Sequence, residues 1–342
     1  MRKPPLFCLL LAGVPLALSV PAAQAAAPFN VDALSATGVY SEAWTINSAG
    51  TVGGISDNGG TLAGTIWPKL QQAMSVGPQG SNASWVYGIN KAGLAVGARQ
   101  TIDGTLAAYA SYRGQNVDLP SLRSTPVYQN DYADEVNDSG QAVGYSIDDS
   151  GVPRAVTWVN GSVVDLTPDA ATNTAGAFGI NNNGVITGNR NGSAVEWVGG
   201  TMTELNLPRP ADVPADANLF SDGRSINDNG DVVGYVAWNT ESEAGYRAFI
   251  WSSGMTTYLK PFDVGWSECI AYGVNIKREV VGGCSSRTQP TTRPFIWSNG
   301  VMKDPGLLPG DTSGFAQAIN DKSYVVGYST GGGGGTRAVR WR

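Results

Sequence analysis

Apolar and polar residues alternate along this chain in short runs, separated by clusters of Asn, Asp, Ser and Gly. Runs such as RAFIW (247–251) and RPFIW (293–297) place apolar side chains on one face, as half-buried strands do. The pattern then repeats. An Ile-Asn or Val-Asn pair occurs seven times, with its Asn at Asn47, Asn90, Asn137, Asn181, Asn227, Asn275 and Asn320, at intervals of 43 to 48 residues. Seven residues after each Asn stands a glycine: Gly54, Gly97, Gly144, Gly188, Gly234, Gly282 and Gly327. An aromatic follows 16–24 residues after the Asn, at Trp67, Tyr112, Trp158, Trp197, Trp251, Trp297 and Trp341.

Each unit reads as four short strands. The first ends at the Ile-Asn pair, a tight turn follows, and a VVGY-type run forms the second. The RAFIW-type run forms the third, and a VVDL (163–166) or MTEL (202–205) type the fourth. Four-stranded units of this length, stacked radially, are the pattern of a β-propeller. No unit can bury its apolar faces alone, so each needs neighbours on both sides. The last copy stops at RAVRWR (337–342) without a fourth strand, and FNVDAL (29–34) resembles the fourth-strand segment QNVDL (115–119). The expectation is an all-β, seven-bladed propeller of four-stranded blades over 26–342, its N-terminal strand completing the last blade. Such closure also shields strand edges.

SINDNGDVVGY (225–235) looks like a calcium loop, but the other copies argue for a turn. Where it has Asp228 and Asp231, they have pairs such as Ser48 and Thr51, or Lys91 and Leu94, which supply no carboxylate. Asn and Gly close a hairpin corner instead. At INDNGDVVGY…YRAFIWSSG and its six relatives, the chain resembles the HAF family of probable extracellular repeats. The resemblance covers essentially all of 26–342 and brings no catalytic motif. The sixth and seventh copies depart from it, with Arg278 and Ser323 in place of the turn glycine, which puts the turn geometry there in question.

Composition narrows the function. A basic start (Arg2, Lys3), an apolar stretch from Leu6 to Val20 and AQA at 23–25 read as a secretory signal peptide over 1–25. Pro15 breaks that stretch, and no later one has the roughly 18 apolar residues of a membrane span. The expected locations are therefore secreted or periplasmic, with no membrane insertion, and the expected state is a monomer. Without Arg2 and Lys3 there remain 20 basic against 28 acidic residues, a net charge of −8, with no basic cluster for nucleic acid. Histidine is absent, which removes Ser-His-Asp and Cys-His nucleophiles and the usual zinc ligand. No cofactor or metal is expected. Cys269 and Cys284 flank the turn at 275–278 symmetrically, so they face each other on adjacent strands and are expected to form a disulfide in an exported protein.

Long, non-repeating segments (121–134, 206–224, 237–246 and the glycines at 331–335) fall on one rim, where binding usually resides. Three residues before each Asn lie Trp44, Tyr87, Asp134, Phe178, Arg224, Tyr272 and Gln317, a position that varies in size and charge while its neighbours repeat. Trp44, Phe178 and Tyr272 read as filling between blades. Asp134 and Arg224 read as site residues, because neither can be buried unpaired cheaply. Acids on the open rim include Asp131, Asp134, Glu135, Asp212, Asp216 and Asp222; Tyr128, Tyr132, Phe220, Trp238 and Trp266 are candidate exposed aromatics. The expected ligand site comprises Asp134, Arg224, Tyr132, Tyr87 and Trp238, for a glycan or an extracellular or periplasmic protein, without catalysis. Two alternatives stand beside it: a carboxylate-based glycosidase or lyase on the same rim, and a purely structural extracellular scaffold.

Overall fold

The alternation resolves into 28 strands in the computed structural model, which describes residues 29–34, 39–68, 72–125, 130–168, 174–262, 265–266, 268–288, 290–331 and 335–342. The proposed signal segment and Tyr128 lie outside the described residues. The strands form seven antiparallel sheets of four, giving a seven-bladed β-propeller. Blade five shows the plan: Asn218–Ile226, Val232–Asn239, Ala244–Ser252 and Met255–Tyr258 run in order from innermost to outermost. In blade seven the outermost place is taken by Val31–Ala33, which pairs antiparallel with Thr336–Trp341, Val31 opposite Trp341 and Ala33 opposite Val339. Among the described residues no helix is long and apolar enough to cross a membrane.

The core lies between blades. Val52, Val86, Val143, Val195, Phe249, Phe295 and Val339 are all but fully buried there. The third-strand tryptophans do more than fill space. The indoles of Trp158, Trp197 and Trp341 donate to the carbonyls of Pro120, Leu166 and Gly306, each just past the preceding blade's outer strand. Blade two departs from the sequence reading. Its strand register puts Ser111, not Tyr112, at the tryptophan position; Tyr112 is exposed, and Tyr109 fills the interior instead.

Seven Asn side chains close the ring. Each donates through Nδ2 to the backbone carbonyl of the next blade's Asn, at 2.9–3.2 Å, from Asn47 to Asn90 and round to Asn320, which returns to Asn47. Each also turns its own corner. Asn47 Oδ1, for example, accepts from the N–H groups of Ala49 and Thr51. An amide carries its donor and its acceptor on separate atoms, so it can donate across the blade boundary while accepting within the turn, which suits Asn to the position. Arg278 and Ser323 take φ of 62° and 63° and keep the turn bond to Asn275 and Asn320. The left-handed turn therefore survives the loss of glycine in blades six and seven.

The invariant glycine has a packing cause. Every innermost strand carries a bulge, at Ala43/Thr45, Val86/Gly88, Ala133/Glu135, Ala177/Gly179, Gly223/Ser225, Ala271/Gly273 and Ala316/Ala318. The bulge presses a carbonyl onto the second strand. A Cβ at Gly144 would lie 1.9 Å from the Tyr132 oxygen, and the other six glycines meet the corresponding oxygen at 1.8–2.0 Å. Cys269 and Cys284 stand opposite each other in blade six and are joined in a disulfide.

Candidate functional site

A bulge leaves one residue without a cross-strand partner and re-aims its side chain. Here the re-aimed residues are Trp44, Tyr87, Asp134, Phe178, Arg224, Tyr272 and Gln317, one per blade, and all seven line a single axial cavity of about 330 Å³. That volume is at the lower end of small-molecule sites, which span roughly 300–1,000 Å³. The innermost strands run from the inter-blade connections down to the Asn turns. The cavity therefore opens toward the long connections, above a collar of Ile46, Val274 and Ile319. Below the collar lies a polar vestibule of about 190 Å³ rimmed by the Asn ring.

One side of the cavity is aromatic. Trp44 and Tyr87 stack at 5.2 Å, Tyr87 lies 6.1 Å from Tyr132, and Tyr132 stacks on Tyr145 at 4.8 Å. Glu42, two residues upstream of Trp44, fixes it by accepting from the indole at 2.8 Å and from Tyr40 at 2.6 Å. The facing side is built around Arg224. Its guanidinium lies over Phe178 at 4.5 Å, between Tyr272 and Tyr235, within reach of cation–π attraction. Asp222, again two residues upstream, binds Arg224 at 2.8 Å and Tyr235 at 2.6 Å. Thus the same device, an acid two residues before the bulge, orients the cavity side chain in blades one and five.

Asp134 has no such support. Its Oδ2 is sealed from solvent without a hydrogen-bond partner, as is Nε of Arg224. Burial pushes the Asp134 carboxyl up to about 7, against the opposing pull of Arg224. Glu135 lines both the cavity and the lower vestibule, and its Oε1 accepts from the backbone N–H of Val136. Burial, reinforced by Asp134, raises Glu135 to about 8 despite that bond. The other blades carry Thr45, Gly88, Gly179, Ser225, Gly273 and Ala318 at the Glu135 position. They are small because blades approach closely there: a Cβ on Gly88 would sit 2.7 Å from Glu135 Cα. Glu135 is the one large acid in this row, and the sequence comparison passed over it as a loop acid.

The expected site residues divide. Asp134, Arg224 and Tyr87 line the cavity, and Tyr132 lies beside Tyr87 with its ring tilted by 37°. Trp238 lies elsewhere, buried against Val213 and Ala217 and crossed by Arg287. It is not an exposed aromatic, whereas Phe220 is. Trp44, Phe178 and Tyr272, read as filler, are cavity wall. Two rim acids have structural partners: buried Asp131 accepts from the Ile147 N–H, and Asp212 pairs with Arg247.

No protein-family model and no curated protein sequence matches the chain. Among solved structures, the oligogalacturonate lyase of Vibrio parahaemolyticus aligns over 92% of this chain and 97% of its own, at TM-score 0.54 and 9% identity. A streptogramin B lyase aligns over 92% and 98%, at TM-score 0.51 and 13% identity. At such identities the likeness concerns the propeller fold, and the site is read from its own residues.

Proposed function

We propose that the chain is an exported, non-catalytic propeller of the HAF-repeat type that binds a glycan in its axial cavity, on the side of the long connections. One observation carries the reading: the seven re-aimed residues, of six different types, converge on one cavity. Stacked aromatics suit the apolar faces of sugar rings. Asp134 and Arg224 place a carboxyl and a guanidinium in the same wall, groups that hydrogen-bond sugar hydroxyls. The apolar stretch at 6–20 and the disulfide support export. The purified chain 26–342, shown to be folded, should give reproducible hits on a broad glycan array. A blank array would move the function to a protein partner or to scaffolding.

The buried carboxyls favour one second reading, a carboxylate-based glycosidase or lyase, since Asp134 and Glu135 hold their protons near neutrality inside a cavity. Incubating each array hit with the chain separates the two. Binding without released product supports the non-catalytic reading; product that disappears with Asp134→Asn supports the enzyme.

A further inference from the structure

The cavity holds two carboxyls and a single guanidinium. Arg224 is its cation, and it is committed to Asp222 at 2.8 Å. Asp134 Oδ2 has no partner and Glu135 bonds the Val136 N–H, so among the described residues neither carboxyl meets a cation at ion-pair distance. Around Asp134 stand aromatic groups. Burial foremost, with the Asp134 charge adding to it, holds the phenols of Tyr87, Tyr132 and Tyr145 above their ordinary value. Trp44 extends this wall by stacking on Tyr87. Among the described residues no group of three or more acid, Cys or His side chains could hold a metal ion. Two desolvated carboxyls beside aromatic faces instead match an organic ammonium, which gains Coulomb attraction from the acids and cation–π attraction from the rings.

We infer that the glycan recognised in the axial cavity is an amino sugar with a free amine, its ammonium placed at Asp134 and Glu135 and its ring against Trp44 and Tyr87. The inference rests on the glycan reading of the same cavity and specifies its ligand. An N-acetylated sugar would leave the carboxyls unpaired, because an amide N–H offers no charge. A protonated amine near the carboxyls also favours their ionised forms, so binding should release protons at mildly acidic pH.

Calorimetry of the chain 26–342 with glucosamine oligomers, N-acetylglucosamine oligomers, glucose oligomers of equal length and a lysine amide tests this. Glucosamine oligomers should bind at least 10-fold tighter than the two neutral series. Asp134→Asn and, separately, Glu135→Gln should each reduce that preference. Proton release, read from the dependence of heat on buffer ionisation, should fall in both variants. Neutral oligomers binding as tightly as glucosamine oligomers would overturn the amine inference and leave the glycan reading standing. A lysine amide binding as tightly would overturn the sugar. Absence of binding by every sugar would overturn both the inference and the glycan reading.

Discussion

Two rings lie three residues apart on the same seven strands and follow opposite rules. The Asn ring is identical in every blade, because each amide must both turn its corner and reach the next blade's carbonyl. The bulge ring carries six residue types in seven blades, running Trp, Tyr, Asp, Phe, Arg, Tyr, Gln. Its backbone is as regular as the Asn ring's, since all seven bulges fall at the same place and press on the same glycine. Only the side chains vary. In a repeat protein the uniform positions report what the scaffold requires, and a varied ring on a uniform backbone reports what the scaffold is used for.

The largest effect belongs to ring closure. Removing residues 26–36 takes away Val31–Ala33 and its pairing with Thr336–Trp341, exposing the last blade's edge. The chain should lose its cooperative thermal transition or aggregate. A melting curve like that of the parent would separate closure from stability. The next effect belongs to the uniform set. Gly144→Ala drives a Cβ to within 1.9 Å of the Tyr132 carbonyl, so the bulge must shift, at about 1–3 kcal/mol or more by denaturant unfolding. Because the same bulge aims Asp134, ligand binding should fall with it. Replacing Cys269 and Cys284 with Ser opens a loop of 15 residues. It should cost at most about 3 kcal/mol, and the cavity should keep its ligand, since both cysteines lie outside its wall.

The pH dependence sharpens the contrast. Asp134 and Glu135 are raised in the fold to about 7 and about 8, above ordinary carboxyl values near 4. The folded state therefore holds these protons more tightly than the unfolded chain. Their contribution to stability is fully present below about pH 4 and is lost as pH rises through 7 and 8. Chemical denaturation between pH 4 and pH 9 should show this decline, and Asp134→Asn should flatten the part ending near 7. A decline that is unchanged in the variant would place its cause elsewhere.

The propeller was legible in the sequence because its determinants are local and repeated: the Asn corner, the glycine, the third-strand aromatic and the strand that completes the last blade. Tyr112 shows the limit. One residue decides which face of a strand is buried, and counting from the Asn cannot fix that when the intervening loop varies. The cavity was half legible. Aligning the copies singled out the bulge position but could not show that it points to the axis, so Trp44, Phe178 and Tyr272 passed for filler. Glu135 was within reach of the same comparison, since its counterparts are Gly, Ser, Thr and Ala. Trp238 misled because loop aromatics read as exposed, whereas the connection at 213–217 folds over it.

The most direct test sets the varied ring against the rim. A glycan-array hit should be titrated against Tyr87→Ala, which removes a cavity wall, and Phe220→Ala, which removes an exposed rim aromatic outside the cavity. Tyr87→Ala should lower affinity at least 10-fold with the fold intact, while Phe220→Ala should bind like the parent. Affinity lost in Phe220→Ala and kept in Tyr87→Ala would contradict this and move the site to the rim.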